Sequence, residues 1–435
     1  MVDIEDVLAG LDPATARQVR HVLSSLLPTW DLTKLNQLAV QQFLWRALPR
    51  LCPDDPHEQH EIAWSLGDFL QAAGQPRYAA LCRDRRTHEL LASWAKDPST
   101  GARAAESLAR ESGVEPPDTG LLTFSREPQG REAEVHAELS RMLERAVAEG
   151  RLDVTGEEGQ RRRQALAEAF LATPSSRYGG WTPREVVLRN RALLWVRGVD
   201  PEVSNFWGRA FRRLAEEPAV PANVELSISP AQALLDAAST GTPLTDDGQL
   251  AASVVDDLDA RFGWSDKLPL GGASPRRPAT EQDVPALMFV DNHLRAQGLI
   301  APSRGRLTLT DPGRRCRTDP PKLWRALVRP APRWEEGFDQ DALAMMAVVL
   351  LLRRTAVSAS SLTNQVASLL SHKWRSREAD SLQSGIEWLR VEWYRLGVGL
   401  SWWELSRRAD DYRLSEFGRV AASELFWSVA ARPRD

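Results

Sequence analysis

A short arginine-rich stretch, SRGRLTLTDPGRRCR at positions 303–317, carries the side chains best suited to binding chemistry in this chain. Its five guanidinium groups belong to Arg304, Arg306, Arg314, Arg315 and Arg317. Guanidinium groups hold phosphate oxygens through charge and paired hydrogen bonds, so such a cluster on one surface can bind a nucleic-acid backbone. We therefore predict that these arginines contact phosphates, with Arg375 and Arg377 contributing from a later segment.

Charge changes sign along this part of the chain. From Asp236 to Asp291 there are ten acidic and four basic residues, whereas Asn292 to Arg329 holds nine basic and two acidic residues. If the basic segment lies on one face, it forms a phosphate-binding surface. If the two segments face each other, their charges are neutralised within the domain. The net charge of −4 argues against a uniformly basic nucleic-acid-binding protein.

A six-residue pattern of Leu, a hydroxyl residue, an acid, any residue, Gly and a polar residue recurs in the second half. Its copies are LTDDGQ at 244–249, LTDPGR at 309–314 and LSEFGR at 414–419. A Thr or Ser side chain can accept hydrogen bonds from the first turn of a helix, and an acid complements the positive helix end. We expect each copy to start a helix. Gly313 and Gly418 would then lie in the first turn, where their small size allows a close approach of the preceding strand.

The residues around the second copy resemble winged helix-turn-helix modules of the MarR-like kind. In that family the wing and the following helix commonly read Gly-Leu-hydrophobic, a basic turn, Leu-Thr, any two residues, Gly-Arg. The matching residues here are Gly298, Leu299, Ile300, Arg304, Gly305, Arg306, Leu307, Leu309, Thr310, Gly313 and Arg314. The resemblance implies a recognition helix over about 281–297 and a hairpin wing over 299–310. Because Glu281, Asp283 and Asp291 make this helix acidic, we expect DNA contact through the wing rather than base reading.

A second copy of the winged-helix pattern is indicated between Gly397 and Arg419. The segments LSWWELS and DYRLS alternate as strands do, RRAD can turn between them, and a helix over about 379–396 takes the recognition position. We predict two winged-helix-like modules, at 225–330 and 338–431. Winged helices also serve as protein-contact scaffolds, so the alternative function is a non-catalytic scaffold or complex subunit that binds a protein partner or self-associates.

Helical patterns dominate the rest of the chain. Helix after helix can be read over 1–217, with a possible sub-boundary where SGVEPPDTG interrupts the pattern near 112–120. The proline-rich segment at 216–230 separates this part from the modules, because proline cannot continue a helix. The predicted fold class is mainly α, with a multi-helix N-terminal domain followed by two winged-helix-like α+β modules with short hairpins.

The sixteen tryptophans raise the possibility of base stacking, for which Trp388, Trp393, Trp402 and Trp403 are the candidates. Their helical and strand spacing favours burial in a core or an interface. Trp402 and Trp403 are neighbours in an expected strand, so they should point to opposite faces, with one buried and the other partly exposed.

Motifs for catalysis, cofactors and metals are not found. A phosphate-cradling GxxxxGK[ST], a GxSxG turn and a GxGxxG are absent from the sequence, and HEQHE at 57–61 lacks the spacing of a zinc-binding HExxH. We predict a non-enzymatic protein without cofactor or metal. Three cysteines without metal spacing favour buried thiols in a reducing compartment, and no apolar run is long enough to span a bilayer. The expected location is the cytoplasm, with no membrane partner.

Overall fold

The computed structural model describes residues 4–26, 31–53, 55–153, 156–200, 205–214, 218–267, 280–331, 337–374, 379–404 and 411–433. Within these ranges the chain is mainly helical and carries a few short antiparallel strands, which confirms the predicted mainly α fold class with small β hairpins. The chain divides into two compact units, Met1–Asn190 with Pro433–Asp435 and Arg191–Arg432.

The first unit consists of helices and loops in its described residues. Its α-helices are α1 (Ile4–Ala9), α2 (Pro13–Leu26), α3 (Gln37–Gln42), α4 (Leu48–Leu51), α5 (Pro56–Ala72), α6 (Pro76–Arg83), α7 (Arg85–Lys96), α8 (Pro98–Ser112), α9 (Arg131–Ala148), α10 (Gly156–Ala172) and the start of α11 (Pro183–Val199). Asp55, Asp84 and Asp97 accept hydrogen bonds from first-turn N–H groups and so define where α5, α7 and α8 begin. Buried apolar side chains form one cluster between Ile4 and Ala109 and two between Leu122 and Val187.

The second unit contains the strands. After the end of α11 it runs α12 (Asn205–Arg213), α13 (Val224–Ser239), β1 (Thr242–Pro243), α14 (Ala252–Phe262), α15 (Trp264–Lys267), α16 (Pro285–Ala296), β2 (Ile300–Ser303), β3 (Arg306–Leu309), α17 (Asp311–Arg317), α18 (Pro320–Val328), α19 (Phe338–Leu352), β4 (Val357–Ser358), α20 (Ala359–Leu370), α21 (Ala379–Gly399), β5 (Asp411–Tyr412) and α22 (Glu416–Ala430). We call α13 to α18 the first module and α19 to α22 the second module.

In both modules a short strand follows the first helix. This strand pairs with the last strand of the module, β1 with β3 in the first module and β4 with β5 in the second. In the first module the antiparallel order is β1-β3-β2, with Thr242 opposite Leu307 and Ile300 opposite Leu309. In the second module β4 pairs with β5, and a further bridge joins Trp403 to Leu414. The predicted turn RRAD lies outside the described residues.

The repeated motif forms the same local structure at two of its three positions. The hydroxyl of Thr310 accepts a hydrogen bond from the N–H of Gly313 at 3.1 Å, and Ser415 and Gly418 repeat this contact at 3.1 Å. A Cβ on Gly313 would lie 1.9 Å from the carbonyl oxygen of Leu299, and one on Gly418 would lie 1.9 Å from that of Trp402. This confirms the predicted close approach of backbone at both glycines.

The first copy of the motif does not start a helix, so that prediction is wrong. The N–H of Thr245 donates to the carbonyl of Gln249 at 2.8 Å, and Leu244 bridges Leu250 across the resulting turn. Gly248 has a φ of 76°, which closes a turn instead of entering a helix. Helix α14 begins only at Ala252.

The prediction that Trp402 or Trp403 is partly exposed is also wrong. The backbone of these two residues is extended, as predicted, but Trp402 is only 2% exposed and Trp403 only 6%. Trp402 contacts Trp324 of α18 edge to face, while Trp403 lies against Trp393 and Tyr412. Each face of this short strand is therefore covered by a different element. Trp393 is buried as expected, whereas Trp388 is half exposed.

Candidate nucleic-acid interface

The predicted wing is a two-residue hairpin with an arginine at its tip. Ser303 pairs with Arg306, and the turn between them has positive φ at both central residues, 51° at Arg304 and 72° at Gly305. Two positive φ values are typical of the turn whose twist matches a right-twisted hairpin. An arginine is uncommon in this conformation, and here it places the exposed Arg304 side chain at the end of the hairpin.

Three of the five arginines predicted to bind phosphate have no carboxylate partner among the described residues. Arg304 and Arg315 are exposed and make no described polar side-chain contact. Arg306 is exposed and donates from Nη1 to the carbonyl of Gly241 at 2.7 Å, which leaves its positive charge uncompensated. These three side chains retain the charge that phosphate binding requires.

The other two arginines are paired with aspartates of the first module. Arg314 forms an ion pair with Asp311 one turn away, and it donates to the carbonyl of Leu309 at 3.0 Å. Arg317 lies 3.5 Å from Asp236 of α13. The acidic and basic segments therefore neutralise each other in part. Surface ion pairs of this kind are weak, at about 0–1 kcal/mol, but they lower the net charge of the surface.

Arg375 and Arg377, which the sequence assigns to the same function, lie outside the described residues.

Two of the three acidic residues of the predicted recognition helix belong to the core. The helix itself begins at Pro285, after a single 3₁₀ turn over Glu281–Asp283. Glu281 is 4% exposed and accepts a hydrogen bond from the N–H of Leu250. Asp291 is 1% exposed and forms an ion pair with Arg295 at 2.7 Å. These two carboxyl groups are therefore buried in the module and are not presented to a nucleic acid.

Burial changes the pKa values of the two buried carboxyl groups, Asp291 and Glu281. Removal from water, reinforced by the nearby charge of Glu281, raises the pKa of Asp291 to about 7, although Arg295 opposes the shift. Burial likewise raises the pKa of Glu281. Two buried carboxyl groups share one guanidinium group, so the ionised pair is poorly compensated.

The helices in the recognition position cover each other. Helix α16 is described throughout, and Asn292 is its one exposed residue. A Cβ on Gly399 of α21 would lie 2.5 Å from the Val290 side chain of α16. The Arg395 guanidinium lies 5.5 Å from the centre of the Phe289 ring. Helix α16 therefore exposes little side-chain surface to a DNA major groove.

Sequence reasoning did not single out a group of arginines in the second module. Arg353, Arg354, Arg413 and Arg419 line one cavity of about 510 Å³. The signal in the sequence was the pair Arg353-Arg354 directly after the apolar run of α19, but nothing in the sequence joins this pair to residues some 60 positions later. Within the described residues, no cluster of three metal-ligating side chains occurs. No described helix has the length and apolar character needed to cross a membrane.

No protein-family model, curated protein or solved structure matches this chain.

Proposed function

We propose that this protein binds nucleic acid through the phosphate backbone, using the wing of the first module. The observation that carries the proposal is that Arg304, Arg306 and Arg315 are exposed and have no carboxylate partner among the described residues. Arg304 lies at the tip of a hairpin, where an arginine meets the least steric hindrance from the rest of the protein. Backbone contacts of this kind are electrostatic and depend strongly on salt.

We infer that the two modules are winged helices. The support is their order of elements. In the first module α13, β1, α14, α15, α16 and the hairpin β2-β3 follow one another. In the second module α19, β4, α20 and α21 are followed by β5 and by the bridge between Trp403 and Leu414. The strand order β1-β3-β2 also fits, because the hairpin β2-β3 then forms a wing at the edge of the sheet.

The covered recognition-position helices limit the mode of binding. Base reading needs side chains that reach the groove edges of bases, and α16 exposes only Asn292 along its length. We therefore expect contacts with phosphates that fix the position of the protein on the duplex and carry little sequence information.

The test measures the binding of a fluorescent duplex to the full chain by fluorescence anisotropy, at salt concentrations between about 50 and 200 mM. The triple variant Arg304→Gln, Arg306→Gln, Arg315→Gln removes three phosphate contacts. The negative slope of log affinity against log salt concentration should therefore become shallower by about 2.7. Affinity at low salt should fall about tenfold or more.

The matched control is the double variant Arg314→Gln, Arg317→Gln, which removes arginines that are already paired with Asp311 and Asp236. We expect this control to change affinity by less than about threefold. Equal losses in both variants would show that the positions of the arginines do not matter, and unchanged binding of the triple variant would reject the wing as the contact.

The second candidate function is a non-catalytic scaffold or complex subunit that binds protein. The exposed Trp388 of α21, 52% accessible, is an aromatic side chain of the kind enriched in protein interfaces. No duplex binding at low salt, together with a concentration-dependent mass in light scattering that Trp388→Ser abolishes, would establish this alternative for self-association.

A further inference from the structure

The second module contains a cleft lined by arginines, away from the motif arginines of the first wing. Its volume is about 510 Å³, and its charged lining residues are Arg353, Arg354, Arg413, Arg419, Glu404 and Glu416. This volume lies within the range of small-molecule sites, about 300–1,000 Å³. Guanidinium groups outnumber carboxylates by two to one among these lining residues.

Three separate elements bring these side chains together. Arg353 ends α19, where its N–H donates to the carbonyl of Leu350, and Arg354 follows directly. Arg413 continues from β5, and its carbonyl accepts the N–H of Glu404 at 2.9 Å. Arg419 lies in the first turn of α22 and donates from Nη2 to the carbonyl of Leu351 at 3.0 Å. The cleft is therefore held in shape by backbone contacts.

Most of the positive charge in this cleft is uncompensated. Arg413 forms an ion pair with Glu404 at 3.0 Å, but Arg353 donates to the neutral side chain of Gln365, also at 3.0 Å. Arg419 donates to a backbone carbonyl. Arg354 is exposed and makes no described polar contact. Three of the four guanidinium groups thus lack a carboxylate partner in the described part of the chain.

One carboxylate opposes anions in the cleft. Glu416 is the first residue of α22 and is exposed, and it makes no described ion pair. At a helix start a carboxylate is favourable for the helix, because it complements the positive end of the helix dipole. The same charge repels an incoming anion, so removing it should strengthen anion binding.

We propose that this cleft binds a phosphate group, carried either by a small phosphorylated molecule or by a nucleic-acid backbone. Guanidinium groups match the geometry of phosphate oxygens and remain charged at all physiological pH values. Several of them around one concave space concentrate the field on a compact anion. The proposal does not depend on the wing of the first module, which has its own arginines.

In the experiment, the full chain is titrated with pyrophosphate and binding is measured by isothermal titration calorimetry. Arg354→Gln should weaken binding about tenfold, because it removes a charged donor that has no other described partner. Glu416→Gln should tighten binding severalfold, because it removes the opposing charge. Arg17→Gln, at an exposed arginine of α2, is the control and should leave pyrophosphate binding unchanged.

Opposite effects of two neutralising substitutions separate a binding site from a folding defect. Arg354 is exposed, so Arg354→Gln should leave the thermal unfolding midpoint unchanged. No pyrophosphate binding to the unmodified chain, or equal binding by Arg354→Gln, would overturn the proposal. An equal loss caused by Arg17→Gln would also overturn it, because binding would then follow the net charge of the protein and not this cleft.

Competition with a DNA duplex identifies the source of the phosphate. Displacement of pyrophosphate by the duplex, with weaker duplex binding by Arg354→Gln, assigns the cleft to a nucleic-acid backbone. Retention of pyrophosphate in excess duplex assigns it to a small phosphorylated molecule. Failure of the wing variants to affect duplex binding rejects the proposed function but leaves the pyrophosphate result intact, so the two proposals fail separately.

Discussion

The two modules use one local motif but differ in what surrounds it. Arg314 and Arg419 occupy the same place in LTDPGR and LSEFGR. In the first module Arg314 pairs with Asp311, and Arg317 of the same helix approaches Asp236. In the second module Arg419 reaches a backbone carbonyl of α19 and faces a cleft with Arg353 and Arg354. A shared motif therefore sets the course of the backbone, while the neighbouring helix decides whether its arginine stays available.

The most deeply buried acid of each module is held in a different way. Asp291 of the first module shares Arg295 with a second carboxylate, so its pKa is raised. Asp341 of the second module is 3% exposed and receives hydrogen bonds from the indoles of Trp195 and Trp374, at 2.8 and 3.1 Å. It also pairs with Lys373 at 2.6 Å. The first acid is undercompensated and the second is fully satisfied.

The largest expected effect tests whether the motif is equally essential in both modules. Gly313→Ala or Gly418→Ala would push a methyl group against a backbone carbonyl that lies 1.9 Å from the Cβ position. Because neither backbone can yield easily, we expect each to lower the free energy of unfolding by about 3 kcal/mol or more in urea melts.

Gly198→Ala is the matched control, since Gly198 is exposed in α11 with no atom within 4 Å of its Cβ position. It should be neutral or stabilising by up to about 1 kcal/mol, as expected for alanine in a helix. A small effect at Gly418 alone would break the equivalence of the two modules.

The next effect sharpens the contrast between the buried acids. Asp341→Ala removes the acceptor of the buried Trp195 indole, of the partly buried Trp374 indole and of Lys373, so we expect a loss of about 3 kcal/mol in the free energy of unfolding. Asp257→Ala, an exposed acid on α14, should change it by less than about 0.5 kcal/mol. Similar losses in both variants would contradict the role given to Asp341.

The pH dependence of stability should come from the first module. A carboxyl group with a raised pKa stabilises the fold while it is protonated, and this stabilisation is lost as the pH rises from 3.8 through about 7. At about 1.4 kcal/mol for each pKa unit, the upper limit for Asp291 is about 4 kcal/mol, and Glu281 acts in the same direction.

We expect Asp291→Asn to flatten the fall in unfolding free energy between about pH 4 and pH 7, measured by urea melts. Asp236→Asn, an exposed acid of the same module, should leave the slope unchanged. An identical slope in Asp291→Asn and the unmodified chain would show that this buried pair does not titrate as described.

Local features were predictable because their partners are close in the sequence. The caps at Thr310 and Ser415 involve glycines only three residues away. The motif also predicted a close approach at Gly313 and Gly418, but the carbonyls that they meet, those of Leu299 and Trp402, lie outside it. LTDDGQ shows the limit of such reasoning. It has the same pattern, but its glycine closes a turn between bridged leucines.

The candidate sites were predictable only in part. The hairpin and its exposed Arg304 followed from the pattern, but the pairing of Arg317 depends on Asp236, 81 residues earlier. The arginines of the second cleft come from three elements, and no spacing in the sequence brings them together. Likewise, Trp402 became buried because Trp324 of another module covers it.

Residue order alone determined where the helices after Thr310 and Ser415 begin and where the β2-β3 hairpin turns, because those depend on hydrogen bonds and steric contacts within a few residues. Tertiary structure decided which charges remain available. The strength of a charge at a surface depends on every other charge within a few ångströms, and folding brings those neighbours from distant parts of the chain. For this protein that choice separates a partly neutralised segment after the β2-β3 hairpin from an arginine-lined cleft.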